Sequence, residues 1–221
     1  MKRRTLDILF SIGGLGIAGL LLILGLVMTS NANFSDRYVT DQLKQQKITF
    51  KAADALTAEE KEIPCLVANA GLPLTTGKQA ECYANHFIGL HVKNAAGGKT
   101  YSELGDVQTA LRAQIADAQK NGDADVATLQ KQLTDVTAQR ETVFKGETLR
   151  GILLTSYGFS TLGTKADQAA TVAYAAAGLM LLLSVAGGIH AALTPRNKPF
   201  AAPEPDPAMV GDGEEKELVK A

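Results

Sequence analysis

Two cysteines and one histidine are the residues of this chain whose types and spacing best suit chemistry. Cys65 and Cys82 are its only cysteines, and His86 follows Cys82 by four residues, which places both side chains on one face of a helix. Three outcomes are open: a disulfide, a metal site with Cys65, Cys82 and His86 as ligands, or free thiols. A structural zinc site needs a fourth ligand, and a catalytic redox pair usually has a CxxC motif, which this sequence lacks.

The redox compartment decides between these outcomes, and an apolar segment near the start of the chain indicates it. Residues 8–28 (ILFSIGGLGIAGLLLILGLVM) carry no charge and are long enough to cross about 30 Å of hydrocarbon. Lys2, Arg3 and Arg4 precede this segment, and such basic flanks mark the cytoplasmic side. The alternative is a signal peptide cleaved near Ser30–Ala32, but signal peptides have apolar runs of only about 7–15 residues.

A second apolar segment covers residues 169–193 and is followed by Arg196 and Lys198. The basic residues again indicate the cytoplasmic side, so both ends of the chain are predicted to lie in the cytoplasm of a cell-membrane protein. The predicted sections are a cytoplasmic N-terminus (1–7), a first transmembrane helix (8–28), an extracytoplasmic helical domain (29–168), a second transmembrane helix (169–193) and a disordered, Pro-rich and acidic cytoplasmic tail (194–221).

An extracytoplasmic location is oxidising and favours a Cys65–Cys82 disulfide over the metal site and the free thiols. Closing a loop of this length stabilises a fold by roughly 3 kcal/mol. Thr76 and Gln79 have the spacing of a capping box, so a helix that carries Cys82 is predicted to begin near Gly77.

Both predicted spans contain small residues four positions apart, the pattern that lets helices approach closely in lipid. The pairs are Gly14 with Ala18, Gly187 with Ala191, and Gly188 with Ala192. They predict packing of the spans on each other, on the spans of a partner protein, or on a second copy in a homodimer.

The region between the spans shows mainly helical patterns. Thr57 and Glu60 have the spacing of a second capping box, and Ile48–Lys51 alternates as in a short strand or extended piece. Heptad-like apolar spacing on both sides of Asn121-Gly122-Asp123 predicts a coiled-coil-like helical hairpin with its tip there and its second arm over about Asp125–Phe144. Leu149–Leu162 is predicted to lie at the membrane surface. The fold class is therefore mainly α, with two transmembrane helices and a disulfide-stapled helical domain that contains a helical hairpin.

The composition and motifs argue against several functions. A formal charge of −1 gives no nucleic-acid signal, and the sequence lacks GxSxG, HExxH and P-loop motifs. Neither span has an acidic residue at mid-depth for a proton or ion pathway. We therefore predict a protein that is not an enzyme and needs no cofactor.

Three stretches carry a resemblance to a known family: LTTGKQAECYANHFIGLHV, AGGKTYSEL and FKGETLRGILLTSYGF. They resemble a family of small two-span membrane proteins of actinobacteria, some of which are labelled aromatic ring-opening dioxygenases. That chemistry needs a metal held by histidine and carboxylate ligands, and no such motif is present. The chain is also similar to an accessory subunit of the actinobacterial respiratory supercomplex of cytochrome bc and cytochrome c oxidase.

Three functional hypotheses follow. The first is a non-catalytic accessory subunit that stabilises a larger membrane complex. The second is a stand-alone envelope sensor or binding protein with a pocket in its outer domain. The third is a metal-binding assembly factor, which predicts a bound metal and no disulfide.

Overall fold

The computed structural model describes residues 2–196 and is mainly helical, as predicted. Its elements in chain order are α1 (Arg3–Gln45), a 3₁₀ turn (Ala53–Ala55), α2 (Ala58–Lys61), α3 (Pro64–Ala68), α4 (Gly77–Cys82), a π-helical segment (Tyr83–Ile88), α5 (Gly89–Ala95), α6 (Tyr101–Asn121) and α7 (Val126–Leu193). The predicted tail lies outside the described residues from 197 onward.

The described chain divides into two compact units, and α1 and α7 contribute to both. The helix-pair unit contains residues 2–26 and 170–196, and the central unit is Val27–Ala169.

Small side chains form the contact between α1 and α7 in the helix-pair unit. Gly14 lies so close to Ser184, and Gly25 so close to Tyr174, that a Cβ atom on either glycine would overlap the opposing side chain. The two helices are antiparallel, because the contact later in α1 (Gly25) meets an earlier residue of α7. We call the buried positions of this contact the small-residue seam: Ser11, Gly14, Ala18 and Gly25 in α1, and Ala170, Ala173, Ala177, Ser184 and Ala191 in α7. Their spacing of three, four or seven residues is the heptad repeat of packed helices.

The large apolar side chains of the same unit point away from the seam. Exposed examples are Phe10, Ile12, Leu20, Ile23, Leu179, Leu182, Leu183 and Ile189. Both helices are long and apolar enough to cross a membrane, judged by length and composition. Only 22% of the most apolar window of α1, and 17% of that of α7, is buried.

The central unit has a hydrophobic core built from helices of both halves of the chain. The two long helices contribute four residues to this core: Val39 and Leu43 of α1, and Val143 and Leu153 of α7. The segments between them contribute Phe50, Leu66, Leu74, Ala80, Cys82, Ala84, Ile88, Val92, Ala96 and Leu104. Each fully buried leucine contributes roughly 1.5–3 kcal/mol relative to an exposed one. The predicted extended piece is present as one antiparallel bridge between Thr49 and Pro73.

The predicted hairpin is present, but its second arm is much longer than expected. Thr100 and Glu103 form a capping box at the start of α6, and Gly122 ends that helix with a φ of +73°. The expected end of the second arm near Phe144 is wrong, because α7 continues without interruption to Leu193. Leu149–Leu162 belongs to this helix and Leu153 is fully buried in the core, while the expected location of the segment at the membrane surface stays a prediction. The physical reason is that no proline occurs between Val126 and Leu193, and glycines alone do not end a packed helix.

Candidate functional site

The two cysteines form a disulfide, which confirms the pairing favoured by the sequence. Cys65 lies in the first turn of α3 and Cys82 at the end of α4, with an S–S distance of 2.03 Å and a Cα–Cα distance of 6.1 Å. The metal site of Cys65, Cys82 and His86 is therefore wrong, because both sulfur atoms are bonded to each other. The described residues contain no other group of three histidine, cysteine, aspartate or glutamate side chains placed to hold a metal ion.

Hydrogen bonds hold the segment between the cysteines in place. The predicted capping box is present: Thr76 Oγ1 accepts from the Gln79 N–H, and Gln79 Oε1 accepts from the Thr76 N–H. Gln79 Nε2 also donates to Asn69 Oδ1 at 3.2 Å, and Asn69 Nδ2 donates to the Cys65 carbonyl at 2.8 Å. The N-terminus of α4 and the C-terminus of α3 are thus joined by side chains as well as by the disulfide.

An open cleft of about 430 Å³ lies beside the disulfide, and we call it the disulfide cleft. Both cysteines line it, together with the exposed His86 and the Lys78–Glu81 ion pair, whose charged atoms are 3.1 Å apart. The opposite charges of this pair cancel. The cleft therefore offers polar contacts without a strong preference for either sign of charge.

The buried carboxylate of Glu60 contacts two side chains that are more exposed, Lys51 and His91. This carboxylate is fully buried and accepts from Lys51 Nζ at 2.9 and 3.1 Å, from the Thr57 N–H at 2.8 Å and from His91 Nε2 at 3.0 Å. Burial by itself raises the pKa of Glu60, but the hydrogen bonds from Thr57, Lys51 and His91 outweigh it and lower the pKa from 4.5 to about 2. The Glu60 carboxylate is therefore ionised at neutral pH, and its contact with His91 joins α2 to α5.

The predicted helix-packing residues divide into two groups. Gly14 and Ala18 lie in the small-residue seam, as does Ala191, and a Cβ on Gly187 would be 2.7 Å from Ser11 Oγ. A Cβ on Gly188 would have nothing within 4 Å, and Ala192 is exposed, so that pair faces away from α1.

Sequence reasoning missed the partners of these glycines. Ser11 and Ser184 fill the space opposite Gly187 and Gly14, and Asp7 Oδ2 lies 3.0 Å from His190 Nδ1 at the end of the pair. The seven-residue spacing of Ser11, Ala18 and Gly25 was the available signal. Pairs four residues apart do not include this seven-residue repeat.

An exposed aromatic cluster joins α1 to α7 in the central unit. The ring centroids of Phe34 and Tyr38 are 5.7 Å apart, and that of Phe159 is 5.6 Å from Tyr38. Ser35 Oγ donates to the Phe159 carbonyl at 2.7 Å and fixes the register of the two helices there. Tyr157, by contrast, is half-buried and lies under Lys78 Nζ, 5.0 Å from its ring centroid.

Comparison with protein-family models, curated proteins and solved structures finds no match for this chain. The resemblance to two-span actinobacterial proteins therefore stays a prediction.

Proposed function

We propose that this chain is a membrane-embedded, non-catalytic accessory subunit that associates with and stabilises a larger membrane complex. The cytochrome bc–cytochrome c oxidase supercomplex is the first candidate for that complex, on the resemblance of the sequence. The main support for a membrane location is that the helix-pair unit buries its small residues and exposes its large apolar side chains.

A water-soluble helix pair buries its large apolar side chains and exposes polar ones. Here Ser, Gly and Ala are buried in the small-residue seam, while leucine, isoleucine and phenylalanine are exposed. Such an arrangement is stable where the surrounding medium is itself apolar and close packing, not apolar burial, joins the helices. Lipid or the spans of a partner protein supply that medium.

The proposed topology places both termini in the cytoplasm and the central unit outside. The basic residues at the start of α1 and after α7 support it, and so does the disulfide, because disulfides persist in oxidising compartments. Protease treatment of intact spheroplasts tests this topology: it should remove the central unit and leave a C-terminal tag protected. Digestion of the tag before the membrane is permeabilised would contradict it.

Purification in a mild detergent through a C-terminal tag tests the association. We expect partner subunits at a fixed ratio by mass spectrometry, and haem absorption bands if the partner is the respiratory supercomplex. A tagged, unrelated two-span protein at equal expression is the control. A colourless eluate that contains this chain alone would refute the accessory role.

The second candidate function is a stand-alone envelope sensor or binding protein. The disulfide cleft favours it, because its polar lining lies in the central unit on a segment held by a covalent bond. This function predicts that the chain purifies alone or as a homodimer and binds a small polar ligand. The third hypothesis, a metal-binding assembly factor, predicted no disulfide and is contradicted by the Cys65–Cys82 bond.

A further inference from the structure

A second cleft of the central unit, here called the basic cleft, has a volume of about 580 Å³. It lies between α5, the loop after α5, the start of α6, and α7. Lys93, Lys99 and Arg150 line it together with a single acidic residue, Glu147. The lining therefore has a formal excess of two positive charges, unlike the disulfide cleft.

Arg150 makes hydrogen bonds through two of its three guanidinium nitrogens. Its Nη1 donates to both carboxylate oxygens of Glu147 at 2.8 Å, and its Nη2 donates to Asn85 Oδ1 at 3.4 Å. Its Nε is buried and has no hydrogen-bond partner among the described residues. Nε packs against α5 at Gly89, where a Cβ would be in van der Waals contact with it at 3.5 Å. The positive charge of the guanidinium, only partly balanced by Glu147, remains in the lining of the cleft.

The two lysines are also available. Neither Lys93 nor Lys99 forms an ion pair with another residue in the described part of the chain. Gly98 has a φ of +81°, and its N–H donates to the Lys93 carbonyl at 2.8 Å, which folds the loop back over the end of α5. Glu103 of α6 accepts from the Thr100 N–H at 2.7 Å and from the Thr100 hydroxyl at 2.8 Å, and it also attracts Lys99 electrostatically without forming an ion pair with it.

We propose that the basic cleft binds a phosphate dianion, carried by a small organic phosphomonoester or by a lipid headgroup. A dianion balances the two excess positive charges, and its oxygens accept from both ammonium groups, with the charge of the Arg150 guanidinium in the same lining. The cleft is larger than inorganic phosphate requires and falls in the size range of small-molecule sites, about 300–1,000 Å³. This site goes beyond the proposed function and does not depend on the identity of any partner complex.

The test uses the full chain in nanodiscs of phosphatidylcholine and glycerol 3-phosphate as the probe. Titration calorimetry at constant ionic strength measures the affinity of the chain for this probe. The wild-type chain should bind the probe saturably, and Lys93→Ala/Lys99→Ala should weaken binding by at least about tenfold. Arg150→Gln removes one further positive charge from the lining, and it should also weaken binding. Circular dichroism confirms that each variant is folded.

The matched control is Lys120→Ala/Lys131→Ala, which removes the same charge from the hairpin and should leave affinity unchanged. The proposal is overturned if the wild-type chain shows no saturation at about 10 mM probe, or if the cleft variants bind as well as the wild-type chain. It is also overturned if the control loses as much affinity as they do.

Nanodiscs that contain phosphatidic acid distinguish the two sources of phosphate. If these discs suppress probe binding to the wild-type chain, the ligand group belongs to a lipid headgroup. Unchanged binding of the probe assigns the site to a soluble phosphomonoester.

Discussion

The contacts of Glu60 arise partly from its neighbours in sequence and partly from tertiary packing. Its role as the third residue of a capping box follows from Thr57, three positions earlier. Its ionic partners do not follow from the sequence, because Lys51 and His91 are 9 and 31 positions away. Only the packing of α2 against α5 brings the three side chains together.

Glu60→Gln should lower the free energy of unfolding of the central unit at neutral pH by roughly 1.5–3 kcal/mol, because hydrogen bonds to a charged group are lost in a buried site. Chemical denaturation of the full chain in detergent, followed by circular dichroism, measures this change. Glu81→Gln, in the exposed pair with Lys78, is the control and should change stability little. Equal losses of stability in the two variants would show that the contacts of the buried Glu60 carboxylate do not stabilise the central unit.

The same carboxylate predicts a pH dependence. Its pKa is lower in the folded chain than in the unfolded chain, so its ionised form stabilises the fold. This contribution is complete above about pH 5 and is lost as the pH falls from about 4.5 toward 2. Unfolding measured from pH 7 to pH 3 should show a steeper loss for the wild-type chain than for Glu60→Gln. Parallel curves would argue against a lowered pKa.

Among the elements, α7 depends on glycines that differ in surroundings although they lie close together in sequence. A Cβ on Gly146 would overlap Val92 of α5, whereas one on Gly151 would meet nothing within 4 Å. Gly146 is therefore required by close helix packing, and Gly151 is not.

Gly146→Ala should destabilise the central unit by about 1–3 kcal/mol, because the core must shift to accept a methyl group. Gly151→Ala should stabilise it by up to about 1 kcal/mol, since alanine has the higher helix propensity. Thermal unfolding of both variants measures the difference. Unchanged or increased stability of Gly146→Ala would show that α7 does not pack on α5 at Gly146.

The disulfide joins α3 to α4 and should contribute about 3 kcal/mol to stability. Cys65→Ser/Cys82→Ser should lower the thermal midpoint, and a reducing agent should lower that of the wild-type chain by a similar amount. The double variant serves as the control for the reducing agent, to which it should not respond. Insensitivity of the wild-type chain would indicate that the bond contributes little.

The whole molecule combines a unit with an apolar exterior and a unit with a conventional buried core. The chain contains no tryptophan, so a single introduced tryptophan reports on its own surroundings. Leu182 in the helix-pair unit and Phe144 in the central unit are both exposed, which makes them suitable positions.

In vesicles with bromine on the lipid chains, Leu182→Trp should be strongly quenched, because the proposed span places it in the hydrocarbon. Phe144→Trp should be quenched little, since its unit is proposed to lie in water. Selective excitation of tryptophan fluorescence gives the measurement. Weak quenching at position 182 would exclude membrane insertion of α7 there.

The sequence by itself determined the features that depend on neighbouring residues: the capping boxes at Thr57 and Thr76, the turn at Gly122, and the two long apolar segments. It also favoured the disulfide through the predicted extracytoplasmic location, and the only possible pairing is Cys65 with Cys82. Tertiary structure decided that α7 continues from Val126 to Leu193: the absence of proline permits a continuous helix there, but four glycines between Phe144 and Lys165 leave its continuity undecided, and two of them, Gly146 and Gly163, pack closely on other helices. It also decided which small residues meet in the seam and which cations line the basic cleft, because these groups are distant in sequence and become neighbours only when the helices pack.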